Sequence, residues 1–80
     1  MPKLRLLSSV DVIKALETFG FEVVGQKGSH IKVARYTIVQ KQVLTIPNNK
    51  SLPKGMIKAI YNQASRFVPQ EELLAFFYTE

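Results

Sequence analysis

The chain has 80 residues, a formal net charge of +5 and no cysteine, and at this length a folded chain buries only about 60% of the surface it exposes when unfolded, which excludes a deep internal active site and points to one domain over residues 1–80. The missing cysteines exclude disulfide staples and thiolate metal sites, and no apolar run approaches the roughly 20 residues that span a bilayer, so a cytoplasmic protein with no membrane contact is the expectation. All eleven Lys and Arg fall in residues 1–66 beside three acids, giving that segment +8 and residues 67–80 a charge of −3; such a body attracts polyanions, nucleic acid foremost.

Ser8-Ser9-Val10-Asp11 reads as a capping box, with the Ser8 hydroxyl accepting from an orphan backbone N–H and Asp11 reaching back. The helix that follows carries Ile13, Leu16 and Phe19, joined by Val12 and Ala15, at helical spacing on one face, and Gly20 can close it in the left-handed conformation. Two strands are predicted next, "FEVVGQK" and "HIKVARYTIV", rich in β-branched residues and joined through Gly28-Ser29. Alternation puts Ile31 and Val33 on one face of the second strand and His30, Lys32 and Ala34 on the other. A third strand, "QVLTIP", leaves the sheet at Pro47. From about Leu52 or Lys54, Ile57, Ile60, Ala64 and Tyr61 define an amphipathic helix whose other face offers Lys54, Lys58 and Asn62. "VPQEELLAFFYTE" reads as a short helix with Pro69 in its first turn and Glu71 and Glu72 at the positive end of its dipole. Leu73, Leu74, Phe76 and Phe77 are too apolar to leave in water, so this helix should dock on the body or on a partner.

The chemistry open to these residues is narrow. One histidine, no cysteine and six scattered acids make a bound metal improbable. Glu71 and Glu72 are adjacent on a helix and point apart, and no phosphate-cradling loop is present. What remains is metal-free and cofactor-free acid–base work by His30, with Lys27, Lys32, Arg35, Lys50 and Lys54 as phosphate holders. The alternative at this stage is that His30 is an exposed polar residue at the start of a strand.

The ordered set "LETFGFEVVGQKGSHIKVAR", "LTIPNNKSLPKGMIKAIYNQA" and "VPQEEL" resembles the HicA toxin family of bacterial and archaeal toxin–antitoxin modules. Members of that family show a "GF" leading into the first strand, a "KGSH" turn and a "VPxHxxLxxGTLxxILxQA" pattern running into the last conserved helix. The likeness covers roughly Val12 to Leu73, and its most specific pieces are Lys27-Gly28-Ser29-His30, Ile46-Pro47 and the series Leu52, Gly55, Ile57, Ile60, Gln63, Ala64. It implies an α+β fold like a double-stranded-RNA-binding domain: helix, three-stranded antiparallel sheet, helix, here with a short extra C-terminal helix. It also implies an mRNA-cleaving endoribonuclease, silenced by a HicB-like antitoxin, with His30 as the catalytic residue. The RNA-binding residues would be Lys27, Gly28, Ser29, Lys32, Arg35, Asn49, Lys50, Lys54 and Lys58. Two departures stand out: Asn49 occupies the place of a second histidine, and Gly55-Met56-Ile57 that of Gly-Thr-Leu. Asn49 cannot shuttle a proton, which keeps a non-catalytic RNA-binding module as the alternative. A pure protein-interaction domain is a third, in which His30 would be idle.

Overall fold

The structure is a computed structural model that describes residues 3–79. Eight elements follow in order: β1 (Lys3–Leu4), α1 (Ser9–Thr18), β2 (Glu22–Lys27), β3 (His30–Tyr36), β4 (Lys41–Pro47), α2 (Lys54–Ala64), α3 (Gln70–Phe77) and β5 (Tyr78–Thr79). β2, β3 and β4 form an antiparallel meander with β3 in the middle, so the fold is the α+β arrangement that the resemblance implies. Among the described residues, no helix is long and apolar enough to cross a membrane.

The sheet has one covered face and one open face because its strands alternate. Val33, Leu44 and Ile46 share a core with Val12 and Leu16 of α1 and with Ile57, Ile60, Tyr61 and Ala64 of α2. His30, Lys32, Tyr36, Lys41, Val43 and Thr45 take the alternate positions, and all are exposed. Every residue of β2 is exposed as well, and a bulge between Val23 and Gly25 shifts its register, a common device for blunting a free sheet edge.

α1 begins as its sequence predicts. The Ser8 hydroxyl accepts from the Asp11 N–H at 3.2 Å, and the Ser8 N–H donates to Asp11 Oδ2 at 3.0 Å. The Ser8 backbone N–H, followed by the Ser8 side chain as a hydrogen-bond partner of the carboxylate, holds the Asp11 carboxyl below its ordinary 3.8, with Lys14 and Arg5 adding to the effect. Ser8→Ala should therefore lower stability by about 1 kcal/mol at neutral pH, read from denaturant melts. Asp11 stabilises only while ionised: its share is complete above pH 3.8 and is lost as the pH falls through the lower folded value. A melt series should show the gap between wild type and Asp11→Ala closing in that acid window. The buried stripe of α1 differs from the predicted one. Val12, Ala15 and Leu16 are buried, whereas Ile13 and Phe19 are only partly so and pack against the core as partly buried neighbours.

α3 closes over the second helix. Leu73 and Phe77 are fully buried, Phe77 meets Tyr61 edge-on at 5.5 Å, and Phe76 meets Phe19 at 5.4 Å. Burial pushes the Tyr61 hydroxyl above its usual range, and Tyr78 adds to it. Leu74 stays exposed. The chain then turns back so that β5 pairs with β1, Lys3 opposite Thr79 and Leu4 opposite Tyr78. The Arg5 N–H donates to the Phe77 carbonyl at 2.8 Å. No local pattern in the sequence announces this two-stranded latch.

Candidate nucleic-acid interface

Lys27 and His30 face each other as the last pair of the β2–β3 hairpin, leaving Gly28 and Ser29 as a two-residue loop. Gly28 has φ +59°, and among the described residues no non-glycine residue has a positive φ. That is the pattern of a type II′ turn, whose first position glycine fills without steric cost. The turn fixes the register, and the register decides which way the imidazole points: His30 is the first residue of β3, paired with Pro47 across the sheet, and exposed on the open face.

The segment that leaves β4 is tied to this turn. The Asn48 N–H donates to the Ser29 carbonyl at 2.7 Å. Buried Ser9 grips the next residue from the start of α1: its N–H and hydroxyl both donate to the Asn49 carbonyl at 3.0 Å, and its hydroxyl accepts from the Asn49 N–H at 3.2 Å. The Leu52 N–H closes the loop onto the Leu7 carbonyl at 2.9 Å. Asn49 is thus held by its backbone while its side chain stays exposed, and Lys50 and Lys54 follow it into solvent. α2 starts there with Pro53 at its cap position, no capping side chain and no acid in its first turn. An acid is the usual complement to the positive end of a helix dipole, and here a lysine stands in its place.

One end of the sheet therefore gathers Lys27, Gly28, Ser29, His30, Asn49, Lys50 and Lys54, drawn from the β2–β3 turn, the β4–α2 loop and the start of α2. Lys32 extends the group two residues along the open face, roughly 7 Å from His30. Lys58 lies one turn into α2, about 6 Å from Lys54 along the axis, on the helix's solvent face. These two flank the cluster on opposite sides of the sheet.

Arg35 does not join them, which corrects the expectation from charge. It shares the parity of Ile31 and Val33 and so points to the core side, roughly 16 Å along β3 from His30. Its guanidinium donates from Nε to Gln42 Oε1 at 2.8 Å, and from its two terminal nitrogens to the Phe19 carbonyl at 2.9 Å and the Phe67 carbonyl at 2.8 Å. It also stacks over the Phe21 ring, 5.0 Å from the centroid. Its stem passes the position that a Cβ on Gly20 would take at 3.4 Å, and Gly20 has φ +94°. Arg35 joins the ends of α1 and α2 and has no donor directed at a phosphate on the open face.

Ser9 and Asn48 carry the loop that positions Asn49, and neither was singled out from the sequence. The only signal was the doubled serine, since one hydroxyl suffices for the cap. Among the described residues, no three His, Cys, Asp or Glu side chains come together as a metal site. A shallow cleft of about 380 Å³, lined in part by Arg5, Asp11, Lys14 and Phe76, shares no residue with the His30 cluster. What the cluster offers is one exposed imidazole among several cations, suited to moving a proton beside a bound phosphodiester.

A family model described as the HicA toxin of bacterial toxin–antitoxin modules matches residues 9–65, which contain every residue of this cluster. No curated protein and no solved structure matches the chain.

Proposed function

Because this chain belongs to the HicA toxin family, we propose that it is the toxin of a toxin–antitoxin pair and cleaves messenger RNA in the cytoplasm, with His30 as its proton-transfer residue. The observation that carries the proposal is the gathering of an exposed His30 with Lys27, Lys50 and Lys54 at one braced end of the sheet. Neutral His30 takes the proton from a ribose 2′-hydroxyl as that oxygen attacks the adjacent phosphorus. The P–O5′ bond breaks, leaving a 2′,3′-cyclic phosphate on one fragment. The departing 5′-oxygen takes a proton from the imidazolium just formed, from water or from a lysine. Lys27, Lys32 and Lys50 offset the charge that builds on the phosphate oxygens, and Lys54 and Lys58 hold the strand further along α2. The chemistry needs no metal and no cofactor. A HicB-like antitoxin is the partner that holds the activity in check.

RNA held by phosphate contacts should bind with an affinity that falls log-linearly with salt. Lys27→Ala, Lys50→Ala and Lys54→Ala should each flatten that slope by about one unit at most. Filter-binding titrations across a salt series measure this, and the same mixtures with EDTA, run against end-labelled mRNA, should give fragments ending in cyclic phosphate and 5′-hydroxyl. Binding that ignores salt, or fragments with other ends, would remove this mechanism.

Asn49 favours a second reading, a module of the same fold that binds RNA without cutting it. The exposed amide hydrogen-bonds but cannot donate a proton to a leaving oxygen at useful rates. If wild type binds RNA and yields no new ends while Asn49→His does, the second reading holds.

A further inference from the structure

The end of the sheet opposite His30 carries an apolar feature that the fold does not need. β3 and β4 are joined by residues 37–40, a turn closed by its own polar groups. The Thr37 N–H donates to the Gln40 carbonyl at 2.9 Å, the Thr37 hydroxyl donates to the same carbonyl at 3.0 Å, and the Gln40 N–H donates to that hydroxyl at 3.1 Å. The two residues at the tip, Ile38 and Val39, take no part in these bonds, and their side chains are 104% and 87% exposed. Turn tips favour Gly, Asn, Asp and Ser, for backbone reasons that β-branched residues do not meet. Two bulky aliphatic side chains held in water on a rigid turn lose stabilisation unless something covers them.

The tip continues onto the open face of the sheet. Tyr36 is largely exposed at the end of β3, the Lys41 ammonium lies 5.6 Å from the centre of its ring, and Val43 is half-exposed beyond. The face is net cationic: Lys27, Lys32 and Lys41 are exposed on it, and Glu22, opposite Ala34, is the one acid that the three strands place there. The surface therefore suits a partner that offers an apolar pocket with an acidic border. A second copy of the chain, cationic on the same face, would bring lysines against lysines.

We propose that the β3–β4 hairpin tip, Ile38 and Val39 with Tyr36 and Val43 behind them, is the anchor for the antitoxin, a protein with an apolar pocket rimmed by Asp and Glu. The proposal rests on the toxin–antitoxin reading given above. An antitoxin seated at the tip and extended along the open face runs toward Lys32 and His30, so one contact both holds it and aligns it over the cluster. Attachment and active-site residues are then separate sets, and each can be changed without the other.

The test is the double variant Ile38→Ser/Val39→Ser, which leaves the charge unaltered and suits the turn. Its affinity for the purified product of the gene adjacent to the one encoding this chain is measured by titration calorimetry. Expected is a loss on the order of 100-fold, with melting temperature and RNA cleavage unchanged and with growth inhibition that antitoxin co-expression no longer relieves. Affinity equal to wild type overturns the proposal. So does a folded variant that no longer cleaves RNA, which would place the tip on the RNA surface. A wild type that sediments as a dimer, with a monomeric variant, would assign the tip to a second copy. If wild-type protein itself binds no antitoxin, the partner reading falls together with the anchor, a result that the variant alone cannot mimic.

Discussion

His30→Ala is expected to lower RNA cleavage about 10²- to 10⁴-fold, the share that a positioned acid–base group supplies. Stability should stay within about 0.5 kcal/mol of wild type, because the side chain is exposed and packs against no core residue. RNA affinity should also survive, since Lys27, Lys50 and Lys54 keep their places. This combination separates a proton carrier from a phosphate contact: a contact would weaken binding and flatten the salt slope while sparing the turnover of bound RNA. Single-turnover cleavage at saturating protein, with EDTA in both samples, makes the comparison. Cleavage by His30→Ala at the wild-type rate would remove the imidazole from the mechanism and leave the lysines as the only candidates for moving charge.

Arg35→Ala is expected to have the largest effect on folding. The side chain satisfies two backbone carbonyls that follow α1 and α2, at Phe19 and Phe67, and it partners buried Gln42 while covering Phe21. Removing it leaves three acceptors short of a donor, each worth about 1 kcal/mol or more where water is partly excluded. A loss of about 2–3 kcal/mol corresponds to a fall in melting temperature of roughly 10–20 °C for a domain of this size. Arg35→Lys should recover little, because a single ammonium on a flexible stem cannot send donors in three fixed directions. Thermal melts of both variants decide the matter. A variant that melts as wild type does but shows a flatter salt slope for RNA would return Arg35 to the set of phosphate contacts.

The contrast between these two residues shows what the sequence makes legible. Alternation along "HIKVAR" places His30, Lys32 and Ala34 on one face and Ile31, Val33 and Arg35 on the other, and the structure follows that parity except that Ala34, small and flanked by its neighbours, is buried. Charge alone grouped Arg35 with the lysines, although its place in the alternation already assigned it to the covered side. The caps of α1, the Gly28-Ser29 turn, the exit at Pro47 and the buried face of α2 were likewise open to local rules, because each depends on residues within a few positions of one another. The clamp of Ser9 on Asn49 was not. It joins residues 40 apart, the Ser9 N–H and hydroxyl meeting backbone groups of Asn49 that every residue possesses, so beyond the doubled serine nothing in the sequence points to the partner. The pairing of β1 with β5 is hidden for the same reason, as is the bulge in β2, which depends on how that edge strand meets β3.

The β1–β5 latch also bears on the order in which the structure assembles and opens. The β2–β3–β4 meander joins neighbours through short turns, whereas Lys3 and Thr79 meet only after nearly the whole chain has been brought round. Entropy of closure delays such distant pairs until the intervening chain is in place, and two-residue strands have little to hold them once formed. The latch is thus the last part to close and the first to open. When it lets go, the Phe77 carbonyl loses Arg5, while α3 stays seated through buried Leu73 and Phe77 and the hydrogen bonds that brace the Ser29–Asn48–Ser9 corner stay intact. Opening at the paired termini therefore leaves the corner that carries His30 in place.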